Sequence, residues 1–472
     1  MLKSRLCIAF FAFAVGCAPA QKPLTDYVNP MLGTATLWDS VDLGFKPTKR
    51  TWGAEVFPGS SLPNAMVQVS PVTKFHSGAG YQYEDSVIYG FTHTNKGHWN
   101  LCHIPLLPVT GTPTPGDYCS PFSHERESAA PGYYQVFLDR YGVDAQLSST
   151  LRCAFHKYTY PAGAAASLLA DLQRSNEHVR AWDIRKEGDN VFAGWQQTGE
   201  KMYFYAVANR PVTGIEPVVE GDREVRIVRF GEGDGALELR IGFSFVSEKN
   251  ARENLEAEML GKSFAEVRSE ATATWNDLLG RIRVEGGTER EKGLFYSSLY
   301  RSFLWPALRS DVNGEFTDVD GKVINPGFRY YTGPSYWDDY RNKLILLGML
   351  APDVAADVIS SDTDKGEKRG GFMPTFFHGD HASAFVAGTY LRGNRGFDVN
   401  RAYNLVLRNA TVQGPSRPWL DEYIAKGYIS EMDVENPVTW TVCKAAVTKT
   451  LEYSYDDYAV ALLADALGDK EN

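Results

Sequence analysis

The sequence predicts a multidomain β + α protein in which an antiparallel β-sandwich is followed by a region of successive helices. First, short segments of mixed apolar and polar residues, separated by Gly, Pro, Asn and Asp, run through residues 25–260. Second, apolar residues change to helical spacing near Lys262, and helical segments then follow one another. Third, the chain has 472 residues, whereas a single core stops growing at roughly 250–300 residues.

The strands of the predicted sandwich, assigned to residues 21–261, come from five segments of strand length and composition. These segments are Ala65–Ser70, Tyr133–Leu138, Phe155–Tyr160, Arg223–Val228 and Ala236–Ile241. Turn residues separate them at intervals typical of sandwich strands, and no helical period is evident in this half. An antiparallel sandwich is therefore the economical interpretation.

The helical part begins with a predicted connecting helix within residues 262–285, where Phe264, Val267, Ala271 and Trp275 recur at helical spacing. A second helix starts at Glu289 and ends before Pro306. Further helices are predicted at Trp337–Leu350, Pro352–Ser360, Ala382–Arg392, Val399–Asn409, Trp419–Lys426 and Val442–Leu467. Several are apolar on most of their circumference, which is typical of helices packed on both sides in a toroid or bundle. Residues 286–472 are assigned to this domain.

The N-terminus has the pattern of an export signal at residues 1–20. Lys3 and Arg5 precede an apolar stretch that is too short to span a bilayer, and a small-residue cleavage site ends at Ala20. A lipobox-like segment ending at Cys17 offers a second processing point. Lipidation of Cys17 would tether the protein to a membrane, and cleavage after Ala20 would release it. Both place the mature chain outside the cytoplasm, in the periplasm or at the cell surface of a bacterium.

Composition and motifs exclude several classes of function. The net charge of -10 disfavours binding to nucleic acid or to anionic membranes. The sequence has no G-x-S-x-G elbow, phosphate-binding loop, Rossmann glycine pattern or H-E-x-x-H motif. Aromatic residues make up 13% of the chain, which fits either a large aromatic core or sugar stacking. Carboxylate acid–base chemistry on a sugar is the class that remains.

Polar and aromatic residues gather at the start of the helix predicted from Trp337. Trp337 offers an apolar face for a sugar ring, and Asp338 and Arg341 offer hydrogen bonds to hydroxyl groups. Helix capping, charge complementarity with the helix dipole and a local Asp–Arg pair are the structural alternatives.

A loop with two histidines and an aspartate precedes the next apolar helix. Gly379 permits close backbone approach, and Asp380 and His381 are candidates for binding hydroxyl groups. A buried structural network and metal ligation are the alternatives, although H-x-x-H lacks the spacing of a zinc-binding helix. In the first half, Trp99 lies in a histidine-rich loop and is a candidate for contacting a leaving group.

At these residues the chain resembles glycoside hydrolase family 92, the calcium-dependent exo-acting α-mannosidases of bacteria. The matching segments are Tyr27–Thr34, Phe57–Gly59, Met66–Pro71, Gly90–Thr94, Phe295–Tyr300, Trp337–Arg341, Gly379–Ser383 and Lys449–Tyr453 with Asp456 and Asp457. The resemblance implies a β-sandwich followed by an (α/α)6 barrel, with the active site between them. It also implies inverting hydrolysis of mannose-containing glycans, with α-1,2-linked mannose expected, and calcium as the cofactor.

The resemblance carries over substrate-binding positions only: Trp99, Trp337, Asp338, Arg341, Asp380 and His381. The family's general acid and base lie in C-terminal motifs that this sequence does not show, so the catalytic residues are expected beyond Asn472. The helical part is then the N-terminal part of the barrel, and the calcium ligands stay unassigned. The alternatives are a catalytically inactive carbohydrate-binding fragment and a related glycoside phosphorylase.

Overall fold

A computed structural model describes residues 22–36, 44, 54, 56–96, 99–233, 235–431 and 445–472. For residues 95, 96 and 99 it describes the backbone alone. The predicted export signal with Cys17 and residues 442–444 of the predicted last helix lie outside the described residues.

Two antiparallel sheets form the first half of the molecule. The first has the order β1-β2-β4-β7-β13-β18-β17. Its strands are β1 Ser60–Ser61, β2 Gln68–Val72, β4 Gly90–Thr92, β7 Leu106–Val109, β13 Ser167–Ala170, β17 Val212–Glu220 and β18 Arg223–Phe230. The predicted strand at Ala65–Ser70 thus begins three residues later than expected.

The second sheet has the order β14-β15-β16-β19-β12-β11-β10-β9. Its strands are β9 Glu127–Ala130, β10 Tyr133–Leu138, β11 Val143–Ser149, β12 Cys153–Thr159, β14 Ala181–Gly188, β15 Val191–Gln197, β16 Lys201–Ala208 and β19 Leu237–Ser244. Two-stranded pairs complete the β structure: β3 Val87–Ile88 with β8 Ser120–Pro121, β5 Asn95–Lys96 with β6 Trp99–Asn100, and β20 Phe316–Thr317 with β21 Val323–Ile324. The predicted antiparallel sandwich is confirmed.

Alternation of side chains explains the sandwich. Along β16, Met202, Phe204 and Ala206 are buried while the residues between them are partly exposed. Since successive side chains of a strand point to opposite faces, one face of β16 joins the core. The same core contains Tyr134, Phe192 and Ile241.

The second half is helical. The first helix, α1 Glu248–Glu258, directly follows the last strand of the sandwich. The others are α2 Phe264–Leu279, α3 Glu289–Ser302, α4 Tyr336–Asp339, α5 Lys343–Leu350, α6 Pro352–Lys368, α7 Ala382–Leu391, α8 Val399–Thr411, α9 Leu420–Lys426 and α10 Ala446–Leu467. Capping boxes start α2 at Ser263 and α3 at Thr288, each closed by a glutamate three residues later. The α10 helix packs against α7 and α8.

Three helix predictions need correction. The single helix predicted at Trp337–Leu350 is two helices, because Asn342 leaves helical geometry and its side chain caps α5. The helix predicted to end at Ser360 continues to Lys368. The α1 helix was missed: its sequence is mostly polar, and its fully buried residues are few, so the apolar period is weak.

Among the described residues, no single helix combines the length and apolar composition that crossing a membrane requires. The α5 and α6 helices are long and apolar enough only when taken together, and the chain bends by 119° between them.

Buried hydrogen bonds join the sandwich to the helical part. The indole Nε1 of Trp275, on α2, donates to the Ser61 carbonyl at 2.7 Å. The side-chain amide of Gln68 donates to the Leu304 carbonyl at 2.9 Å. Trp275 and Gln68 are both buried, so these bonds satisfy groups that have lost their water.

Asp311 also lies where the sandwich meets the helical part, a boundary that we call the seam. Its carboxylate accepts hydrogen bonds from Ser244 at 2.6 Å, Asn250 at 2.9 Å and Asn254 at 2.7 Å. Arg152 reaches from the sandwich to the neighbouring Ser310 carbonyl at 2.8 Å. Burial raises the pKa of Asp311, and the three donors oppose the rise. One buried carboxylate thus ties β19 and α1 to the helical part.

The sandwich core also contains a buried histidine pair. The Nε2 atoms of His93 and His156 are 3.0 Å apart, and His156 Nδ1 lies 2.6 Å from the Tyr158 hydroxyl. Burial lowers the pKa of His93 to about 3 and that of His156 well below its usual value. Both rings are therefore neutral at neutral pH, and one Nε2–H donates to the other Nε2.

We expect Asp311→Ala to lower the free energy of unfolding by about 3 kcal/mol, because three buried donors lose their acceptor. Urea denaturation measures the loss. Asp320→Ala, at an exposed aspartate nearby, is the control and should change stability little. Equal effects of both substitutions would contradict a central role for Asp311.

The buried histidines predict acid lability. Their folded pKa values lie below the unfolded value of about 6.5, so below that pH the unfolded chain binds protons that the folded chain does not. The free energy of unfolding should fall as the pH drops from about 6.5 towards 3, by about 1.4 kcal/mol per pH unit for each histidine.

Denaturation between pH 6 and pH 4 measures this dependence. His156→Gln should remove about one histidine's share of the slope, whatever it does to stability at pH 7. His178→Gln, at an exposed histidine, should leave the slope unchanged. A wild-type slope in His156→Gln would contradict the interpretation.

Candidate functional site

Three separate segments meet in the helical part: α4 with the residues after it, the loop before α7, and the middle of α10. The loop residue Asp380 has no exposed surface. Its backbone N–H donates to Asp456 Oδ2 at 2.5 Å, which attaches the loop to α10. Residues 40 or more positions apart in the sequence therefore converge here.

The Asp380 carboxylate is saturated with donors from the protein. Its Oδ1 accepts from Asn409 Nδ2 at 3.0 Å, and its Oδ2 accepts from Ser383 Oγ at 2.9 Å and from Arg417 Nε at 3.4 Å. Burial raises the pKa of Asp380, Arg417 opposes the rise, and the nearby Asp456 adds to it. Asp380 thus lies behind the accessible surface rather than on it.

Arg417 is the cation at the centre of this buried network. It is fully buried and also donates to Asp457 Oδ1 at 2.5 Å, while the Tyr423 hydroxyl donates to the other oxygen of Asp457. A buried guanidinium costs desolvation energy unless carboxylates surround it, as they do here. Arg417 therefore holds the loop before α7 and the α10 helix in one arrangement.

His381 links the buried network to its outer edge. Its ring is fully buried, with Nδ1 2.9 Å from Asp456 Oδ1 and Nε2 3.1 Å from Glu452 Oε2. The Glu452 contact is close but not aligned as a hydrogen bond. The Tyr340 ring stacks on His381 at 3.8 Å between centroids. The hydrogen bond with Asp456 and the stacked Tyr340 ring together fix the orientation of the His381 ring.

Gly379 is required by this packing. Its φ is +76°, and a Cβ there would lie 2.9 Å from both Glu452 Cβ and His381 Cε1. A side chain at this position would be strained and would displace Glu452 or His381.

An accessible rim lies outside the buried network; we define the rim as Trp337, Asp338, Arg341 and Glu452. Asp338 is exposed, and Arg341 has 59% of its side chain exposed. The Arg341 guanidinium lies 4.4 Å from the centroid of Tyr340 and 3.7 Å from Glu452 Oε1. Carboxylate acceptors and guanidinium donors thus stand side by side, an arrangement suited to adjacent hydroxyl groups of a sugar.

Aromatic surface adjoins this rim. The half-buried Trp337 lies 5.9 Å from the Phe377 ring and 6.4 Å from the His378 ring, and Phe377 is 40% exposed. Lys449 Nζ lies 3.3 Å from His378 Nδ1. Burial lowers the pKa of His378, Lys449 lowers it further and Glu452 opposes. His378 is consequently a neutral donor or acceptor at this edge.

The structure brings together five of the six residues predicted from the sequence. Trp337, Asp338 and Arg341 lie on the rim, whereas Asp380 and His381 lie in the network beneath it. The backbone of Trp99 belongs to β6, and its side chain lies outside what the structure describes.

Arg417 and Asn409 were not predicted from the sequence. The position of Glu452 between His381 and Arg341 was not predicted either. Arg417 lies between Ser416 and Pro418 in a loop without periodicity, so its burial left no pattern. For α10 the sequence did contain a signal. Asp456 and Asp457 are adjacent on a helix and therefore point about 100° apart, so both are not expected to face one pocket. Asp456 is accordingly fully buried, while Asp457 has 39% of its side chain exposed.

Comparison with known proteins supports a single family along the chain. A model described as the glycosyl hydrolase family 92 N-terminal domain matches residues 27–253, and one described as that family's catalytic domain matches residues 250–472. A protein of Arthroderma benhamiae described as an uncharacterized secreted glycosidase is 24% identical, over 94% of this chain and 60% of its own length.

Solved structures of two proteins have the same fold. A family GH92 α-mannosidase of Bacteroides thetaiotaomicron is 27% identical with a TM-score of 0.84, over 95% of this chain and 63% of its own. Its complex with mannoimidazole gives a TM-score of 0.83. A family GH92 inverting mannosidase of the same bacterium is 25% identical with a TM-score of 0.82, over 96% of this chain and 64% of its own.

The chain thus spans about 60% of the length of these relatives. The likeness confirms the predicted fold class, a β-sandwich followed by helices of an (α/α)6 barrel. Since the two family models together match nearly all the described chain in the expected order, this protein belongs to glycoside hydrolase family 92.

Proposed function

We propose that the protein is an exo-acting α-mannosidase that releases terminal mannose, α-1,2-linked in the preferred substrate, from exported or extracellular glycans. The observation that carries the proposal is the rim of Trp337, Asp338, Arg341 and Glu452, held on a fully buried network. Rigid support of this kind keeps polar side chains aligned before a ligand arrives. The mannosidases similar to this chain, one solved with mannoimidazole, support mannose as the sugar.

Each rim residue has a proposed role. Asp338 accepts hydrogen bonds from hydroxyls of the terminal mannose, and Arg341 donates to a neighbouring hydroxyl. Trp337 packs its apolar face against the ring, as aromatic side chains do when they bind sugars. Asp380 and His381 act as positioning residues, since burial separates both from solvent. Contact of Trp99 with the leaving group stays a prediction.

Hydrolysis with inversion needs a general acid at the leaving oxygen and a general base for water on the opposite face of the ring. The carboxylates beneath the rim do not fit these roles, because Asp380 and Asp456 are enclosed by protein donors. We therefore assign the acid and base to none of the residues discussed above.

No cluster of metal-ligating side chains marks a calcium site in the described part of the chain. Calcium takes roughly six to eight oxygen ligands, whereas the described residues contain no group of three or more His, Cys, Asp or Glu side chains placed to hold a metal. The nearby Asp380 and Asp457 are instead paired with Arg417. Calcium dependence rests on the family resemblance, and no step above uses the ion.

Export is part of the same proposal. The N-terminal pattern predicts it, and the description of the Arthroderma relative as secreted supports it. Release into the periplasm and tethering through Cys17 remain the two alternatives.

The activity is tested with the protein expressed together with any coding sequence that follows codon 472. We expect mannose release from α-1,2-mannobiose, with β-mannose as the first anomer seen by NMR, and loss of activity with a calcium chelator. Mannose 1-phosphate formed only in the presence of phosphate would instead establish the phosphorylase alternative. Mannoimidazole binding without any turnover would establish the carbohydrate-binding alternative.

Asp338→Asn should weaken mannoimidazole binding by about 2 kcal/mol, roughly 30-fold, because a charged acceptor for sugar hydroxyls is lost. Titration calorimetry measures the affinity, and the melting temperature should stay near that of the wild type since Asp338 is exposed. Asp353→Asn, at another exposed first-turn aspartate, is the matched control. An unchanged affinity of Asp338→Asn for mannoimidazole would show that Asp338 does not bind the sugar.

A further inference from the structure

A groove on the sandwich is separate from the rim. It consists of two cavities of about 550 Å³ and 760 Å³ that share His76 and Arg174 in their walls. These volumes fall within the roughly 300–1,000 Å³ of small-molecule sites. The described residues of its walls come from the β-sandwich and include none of the rim.

Arg174 lies at the junction of the two cavities. Its guanidinium carbon is 5.2 Å from the ring centroid of Phe75 and 5.4 Å from that of Tyr89. Arg174 donates a hydrogen bond to the Tyr118 hydroxyl at 3.3 Å, and Asp171 Oδ2 lies 3.8 Å from Arg174 Nε. A guanidinium has five N–H donors, so several remain for a ligand.

Side-chain hydrogen bonds hold the walls of the groove. His76 has a φ of +61°, and its backbone N–H donates to Asn176 Oδ1 at 2.6 Å. Asn176 Nδ2 donates in turn to the Asn100 carbonyl at 2.6 Å. Gln196 Nε2 donates to the Arg174 carbonyl at 2.9 Å from the fully buried side of β15. A non-glycine residue held at positive φ by such bonds indicates a preformed wall.

The chemistry of the walls is mixed rather than purely basic. Arg174, Lys74 and Arg180 offer donors, and Glu84, Asp85 and Glu177 offer acceptors. Aromatic surface comes from Phe75 and Tyr89 at one end and from Trp182 at the other. Donors, acceptors and aromatic faces together match a neutral polyhydroxyl ligand better than an anion or an apolar molecule.

We propose that this groove is a second saccharide-binding site, which holds several sugar units of a mannose-containing glycan. The choice of mannose rests on the proposed function. Asn176 ties the groove to Asn100, the neighbour of Trp99, so the groove adjoins the loop predicted to contact the leaving group. The site would therefore favour long glycans over disaccharides.

Trp182 and Trp195 form a matched pair of positions for the test. Both are partly buried tryptophans of adjacent strands, each with a cation over its ring. Trp195 pairs with Asp183 across β14 and β15, so Trp182 and Trp195 point to opposite faces of the sheet. Trp182 lines the groove, whereas Trp195 is absent from the described walls.

The experiment is titration calorimetry of α-1,2-linked mannopentaose and mannobiose on the purified chain. We expect Trp182→Ala and His76→Ala to weaken mannopentaose binding roughly tenfold, while Trp195→Ala leaves it unchanged. Mannoimidazole binding should stay the same in all three variants, because the rim is intact.

Equal mannopentaose affinity in Trp182→Ala and Trp195→Ala would overturn the proposal, as would binding of inorganic phosphate in the groove without binding of mannopentaose. Turnover of mannobiose together with either result would leave the proposed function standing. Mannopentaose binding that depends on Trp182, without hydrolysis by the protein expressed with any coding sequence that follows codon 472, would support the groove and contradict the proposed activity.

Discussion

The pairing of the fully buried Arg417 with Asp380 and Asp457 is the constraint on which the helical part of the site depends. Arg417 and Asp380 have no exposed surface, and a charge removed from water is tolerated only when opposite charges and hydrogen bonds compensate it. Since Asp380 also receives donors from α8 and from the start of α7, the guanidinium fixes the relation between these helices and α10. The loop that carries His381 has little freedom as a result.

This support divides the polar residues into two layers. In the inner layer, Asp456 orients His381 through Nδ1, and the stacked Tyr340 holds the ring flat. In the outer layer, Arg341 is mostly exposed and lies 3.7 Å from Glu452, whose side chain is 13% exposed. Side chains of the inner layer form their hydrogen bonds with other protein groups. Because this layer is rigid, it holds the side chains of the outer layer in a fixed geometry at the surface.

The sequence predicted the architecture better than it predicted the site. The bounds predicted for β10, Tyr133–Leu138, are those observed, because the composition of a strand is a local property of the sequence. The break at Asn342 was missed because one polar residue between two helical segments also fits the exposed face of a single helix, and α1 was missed because few of its residues are apolar. Trp337, Asp338 and Arg341 share one turn of chain, so local pattern could group them.

The division between contact and support could not be predicted from local pattern. His381 and Asp380 look as polar in the sequence as Asp338 does, but the partners that bury them, Asn409, Arg417 and Asp456, lie 29 to 76 positions away. Burial of a polar loop is decided by such distant partners, and a single sequence does not reveal which residues they are.

The seam at Asp311 has a consequence for how the two halves respond to ligands. Because Ser244, Asn250 and Asn254 on one side share that carboxylate on the other, the halves are expected to lose their structure together. A ligand that binds only the folded state stabilises whatever unfolds with its site. A sugar held by the sandwich would then protect the helical half as well, a thermodynamic linkage that needs no movement of either half.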